Sequence, residues 1–167
     1  LIPSVGVAIL AGYTQEIKVL FCLLPGDEAI TTAEGRATWP PPPGSSYPQH
    51  WAAHPEIAAQ CCAASNTPNA GASNTSDALH GNSSMPDPGN CRRRATPEGL
   101  ASDTDEDCVA GASHARVSLP TFKAMTYGDT VAKCEALGLG LCNQSCVYQG
   151  CYYNMHPVYS GLPCPLP

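Results

Sequence analysis

No stretch of this chain restricts its fold more than the one between Met125 and Cys164. It holds five of the ten cysteines: Cys134, Cys142, Cys146, Cys151 and Cys164. It opens on Thr126-Tyr127-Gly128-Asp129, an N-cap threonine with an acid three residues later, the mark of a helix start. Tyr127, Val131, Cys134 and Leu137 then recur at helical spacing, and Gly138 supplies a stop. From Leu139 to Tyr153 the chain is too short and too rich in cysteine to hold together by hydrophobic burial. A disulfide knot laid against one short helix is the expectation.

The other five cysteines, Cys22, Cys61, Cys62, Cys91 and Cys108, are scattered upstream. An even number predicts oxidised pairs and a secreted or cell-surface setting. Ten cysteines allow roughly 945 pairings, so connectivity stays open. The chain is thin in core-forming residues, with 7% aromatics and 32 prolines plus glycines in 167 residues, so cross-links must replace part of the packing. Charged residues make up 13%, against about 25% in ordinary soluble domains. Covalent glycans or burial against copies of the same chain would compensate for that bare surface. A net charge of -6 argues against nucleic acid as a partner. The apolar run Ile2–Ala11 is too short for a membrane span of about 20 residues.

Three regions follow. Residues 1–38 read as a strand-rich arm, with β-prone runs at 5–11 and 16–22, a turn at Pro25-Gly26-Asp27 and a third strand over 29–33. A helix over 14–24 competes with the second run. Residues 39–60 read as a proline-rich linker whose four prolines, Pro40, Pro41, Pro42 and Pro43, favour a polyproline II rod. Those prolines, with Ser45 and Ser46, are candidates for O-linked sugar after hydroxylation. Residues 61–167 form the cysteine-rich module. Within it, twenty of the residues from Ala63 to Asn90 are Ser, Thr, Asn, Gly, Asp or Pro, too polar to build a core. Three N-glycosylation sequons begin at Asn74, Asn82 and Asn143.

Other constellations are weaker. His50 and His54 stand one helical turn apart near Glu56, Cys61 and Cys62, but the glutamate of a zinc-protease motif is missing and the cysteines are better used as disulfide partners. Arg92-Arg93-Arg94 and the acidic run 103–107 share the loop from Cys91 to Cys108, which suggests internal neutralisation. None of the five histidines lies in a recognisable catalytic pattern, and no catalytic residue, metal site or cofactor is expected.

The series Cys61-Cys62, Cys91, Cys108-Val109-Ala110-Gly111, Met125-Thr126-Tyr127, Cys134-Glu135-Ala136-Leu137-Gly138, Leu141-Cys142, Gly150-Cys151-Tyr152-Tyr153-Asn154 and Pro157-Val158-Tyr159 resembles a cysteine-rich extracellular module of algal and other protist surface proteins. The resemblance covers about 61–167. The helix followed by Gly-Leu-Cys is also similar to the second helix of C-type lectin-like domains. The chain has no Glu-Pro-Asn, Gln-Pro-Asp or Trp-Asn-Asp triplet, so the resemblance does not extend to calcium-dependent sugar binding.

The expectation is therefore a small α+β, disulfide-rich and loop-rich fold with N-terminal strands and one helix near 127–137. Its expected role is an extracellular structural glycoprotein that polymerises with itself into a fibril, sheath or wall layer, joined through a donated N-terminal strand. The alternative is a secreted lectin-like module with Trp39, Trp51, Tyr152 and Tyr153 as stacking faces.

Overall fold

The computed structural model describes residues 1–36, 39, 53–64, 90–113 and 119–165. Within them lie five strands, β1 (Val7–Ala11), β2 (Val19–Leu23), β3 (Cys61–Cys62), β4 (Cys91–Arg92) and β5 (Pro157–Pro163), and one α-helix, α1 (Tyr127–Ala136). Short 3-10 turns occupy Asp105–Asp107 and Tyr153–Met155. No helix among the described residues is long and apolar enough to cross a membrane. This is the small, disulfide-rich α+β arrangement expected, with antiparallel strands and one helix.

The main sheet runs β2-β1-β5, all antiparallel. Its centre is the Val-Ala-Ile-Leu-Ala run of β1, every residue of which is buried. A continuous apolar run suits a strand covered on both faces. Ala8 and Leu10 point into one core with Val109, Met125, Tyr153 and Val158. Val7 and Ile9 point into another with Leu23, Ile57, Tyr127 and Tyr159. The N-terminal segment is therefore not a projecting arm. Both of its edges are occupied within the chain, by β2 and by the C-terminal β5, so β1 has no free edge to donate to a neighbour.

The expected third strand over 29–33 is also corrected. That segment makes one isolated bridge, Thr32 to Glu56, and the third strand comes from the opposite end of the sequence. Tyr159 of β5 faces the core beside Tyr127, and its hydroxyl donates to the Met125 carbonyl at 2.6 Å, with the Ile30 carbonyl 3.2 Å away. The competing helix over 14–24 is not formed. The Val-Leu-Phe-Cys-Leu run pairs with β1 as a strand.

Helix α1 begins and ends where its sequence directs. The Thr126 hydroxyl accepts from the Asp129 amide at 3.0 Å and the Asp129 carboxylate accepts from the Thr126 amide at 3.3 Å, a reciprocal capping box. At the other end Gly138 has φ +75°, its amide donates to the Glu135 carbonyl, and the Leu139 amide donates to that of Cys134. This pair of bonds is the Schellman closure, which needs a left-handed residue at Gly138.

Candidate functional site

All ten cysteines are paired. The bonds are Cys22–Cys164, Cys61–Cys134, Cys62–Cys142, Cys91–Cys146 and Cys108–Cys151. Cysteines 61, 62, 91 and 108 take their partners from 134, 142, 146 and 151 in the same order, so the two cysteine-bearing halves of the module are laced side by side. Cys22–Cys164 encloses the rest and ties β2 to the end of β5. The spans closed run from 43 to 142 residues.

Beside the apolar cores, the laced module buries a polar cluster. Gln60 is fully buried. Its amide group donates to the carbonyls of Gln144, at 2.6 Å, and Tyr159, at 3.2 Å. Its oxygen accepts from the Cys146 amide at 3.0 Å and from Arg93 Nε at 3.3 Å. Both ends of the side chain are thus used. Arg93 is wholly buried as well, and its remaining donors reach Asn154 Oδ1, the Gly12 carbonyl at 3.1 Å and Ser145 Oγ at 3.0 Å. These acceptors are neutral. Burial lowers the guanidinium pKa to about 9, so it stays charged at neutral pH. One cation therefore holds the β1–β2 turn, the segment around Gln60 and the loop between Ser145 and Asn154.

The arginine triplet divides its tasks. Arg94 meets Asp105 at 3.2 Å in the acidic run, as internal neutralisation requires, whereas Arg93 turns into the core. The sequence reading missed Arg93 because nothing local distinguishes it from its neighbours. Its partners lie 33 to 81 residues away.

A second buried polar chain was equally hidden. Ser113 Oγ is hydrogen-bonded to His156 Nε2, and His156 Nδ1 lies 2.8 Å from the Glu56 carbonyl and 3.9 Å from its carboxylate. Because the carbonyl only accepts, Nδ1 carries the proton and Nε2 accepts from the serine. Phe122 stacks on the ring at 4.8 Å and His54 meets it edge-on at 5.4 Å. Burial lowers the imidazole pKa to about 4, so the ring is neutral at physiological pH. Serine, base and orienting oxygen are in series, but the amides of Gly111, Ala112 and Ser113 donate to the carbonyls of Cys108, Pro120 and Cys151. None of these three is free to hold an oxyanion. What the chain of bonds does is fasten 113, 156 and 56 to one another.

The remaining predicted residues separate clearly. Asn143 is exposed, as a glycan acceptor must be. Asn74, Asn82, Pro40, Pro41, Pro42, Pro43, Ser45, Ser46 and Trp51 lie outside the described residues, as does His50. Two of the proposed stacking faces are corrected. Trp39 is buried with Ala11 and Ala33, and Tyr153 is buried with its hydroxyl accepting from the Ala110 amide and donating to the Gly111 carbonyl. Tyr152 is 54% exposed and Tyr148, which the sequence reading passed over, is 79% exposed. Tyr148, Cys151 and Tyr152 all have positive φ, between 61° and 67°, a cluster that bulky side chains rarely adopt.

No protein-family model matches the chain, and no curated protein or solved structure matches it significantly.

Proposed function

We propose that this chain is an extracellular structural glycoprotein that assembles with copies of itself into a fibril, sheath or wall layer. The observation that carries the reading is the complete pairing of ten cysteines into five long-span bonds. Such bonds persist in an oxidising compartment and resist local unfolding, which a load-bearing or protective layer requires. Low charge and the exposed sequon at Asn143 agree with a surface covered by sugar and by neighbours.

The contact between copies is assigned away from β1, which is central in its sheet. The end of the sheet near Cys22–Cys164 is favoured instead. Val5, 57% exposed, and Leu24, 50% exposed, flank the Val7–Leu23 register there. Large apolar side chains left in water at a strand end favour association. Native mass spectrometry and negative-stain imaging of unreduced material should show oligomers that Val5→Asp with Leu24→Asp disperses. Monomers at every concentration, with or without glycans, would remove the reading.

One observation favours a second reading, a carbohydrate-binding module. Tyr148 and Tyr152 display their rings from one loop whose backbone is held in a costly conformation, a concentration of strain that clusters at binding sites. Glycan-array binding lost in both Tyr148→Ala and Tyr152→Ala would support it, and an array without hits would end it.

A further inference from the structure

We propose that Cys62, Cys91, Cys142 and Cys146, once reduced, form a tetrathiolate site for a soft divalent cation of the zinc class. The site is independent of whether the chain polymerises. Its four sulfurs lie within 4.8 Å of one another and all four residues are buried.

In the oxidised chain the backbone itself, besides the S–S bonds, brings them together. In the β3–β4 ribbon Cys62 stands opposite Cys91. Cys62 also exchanges two backbone hydrogen bonds with Gly140, at 2.8 and 2.9 Å, which delivers Cys142 two residues later. Cys146 follows four residues on, its amide held by Gln60. Between the two disulfides, Cys62 Sγ is 3.8 Å from Cys91 Sγ and Cys142 Sγ is 3.6 Å from Cys146 Sγ. A zinc ion with Zn–S bonds of about 2.3 Å sets its sulfurs about 3.8 Å apart at the corners of a tetrahedron. Two of the six edges already have about that length, the two bonded edges would open once reduced, and the remaining two lie within 4.8 Å.

One outer contact to the sulfurs is already in place. Gln144 Nε2 donates toward Cys91 Sγ at 3.5 Å, the type of outer contact that orients a metal ligand.

The chemistry balances with a phosphine as reductant. Each S–S bond breaks to two thiols while one phosphine takes the oxygen of one water and becomes its oxide. Metal binding then releases the four thiol protons to solvent. The test uses the oxidised chain, reduced anaerobically with a phosphine in the presence of Co2+, then alkylated and mapped by mass spectrometry. The expected result is a single equivalent of cobalt with thiolate-to-metal charge-transfer absorption. Cys62, Cys91, Cys142 and Cys146 should resist alkylation until a chelator is added. If native bonds resist the phosphine, the chain is reduced in denaturant and refolded with Zn2+, and the same four positions are mapped. Cys142→Ser with Cys146→Ser should abolish binding, while Cys61→Ser with Cys134→Ser should retain it. Free, alkylated thiols at these four positions with no bound metal, protection of a different set, or binding that survives loss of Cys142 and Cys146 would overturn the proposal.

Discussion

Replacing Cys22 and Cys164 by serine tests whether covalent links carry the stability of this fold. The bond closes a span of 142 residues, and in an otherwise uncrosslinked chain the loop-closure entropy would be worth about 5 kcal/mol. Four other bonds remain, however, and they shorten the loop that the lost bond had closed. The shortest free path runs forty residues from Cys22 to Cys62, crosses to Cys142, and continues twenty-two residues to Cys164, roughly 62 residues in all. On the same relation this loop is worth about 4 kcal/mol. Both cysteines are half-buried, so the serine hydroxyls keep access to water and add little cost of their own. Guanidinium unfolding without reductant, with the other four bonds verified by peptide mapping, should show a loss of about 4 kcal/mol. The midpoint temperature should fall by roughly 8–16 °C. The denaturant slope should rise, because the unfolded variant is more open. A loss below about 1 kcal/mol with an unchanged slope would show that apolar burial alone holds β2 to β5, and the argument from cross-linking would fail.

Arg93→Met should cost roughly 3 kcal/mol or more in chemical unfolding, because it removes the one buried side chain that donates to Gln60, Gly12, Ser145 and Asn154 together, and Arg93→Lys should not restore those bonds since an ammonium cannot span the same fork. His156 has a folded pKa of about 4, below its usual 6.5, so the unfolded chain binds its proton first as pH falls. Stability is therefore full above pH 6.5 and declines toward pH 4 by about 3 kcal/mol, and His156→Gln should flatten that limb of a stability-against-pH series. Two glycines with positive φ should respond differently to alanine in thermal unfolding. Gly138 has open space around a new Cβ and should lose about 1 kcal/mol, whereas a Cβ on Gly111 would lie 2.2 Å from the Thr121 carbonyl oxygen and should lose several-fold more.

What could be read in advance was either local or compositional. The span of α1 was legible because Thr126, Asp129 and Gly138 act on backbone groups within a turn of themselves. The oxidised state of the cysteines was legible because it depends on number and setting rather than on geometry. Even β2 was favoured over a helix on β-propensity, ahead of any knowledge of its partner.

The rest depended on segments far apart along the chain. That β1 is a centre rather than an arm was decided by Pro157–Pro163, a strand roughly 150 residues later, whose Val158 and Tyr159 complete the two cores. That Arg93 is buried while Arg94 is not follows from where Gln60, Gly12, Ser145 and Asn154 converge. The pairing of Ser113 with His156, and the gathering of four sulfurs from β3, β4 and the loop after α1, arise the same way. A residue's type states which bonds it is able to make. Only the folded chain settles which partner is within reach, because a buried polar group left without one costs stability.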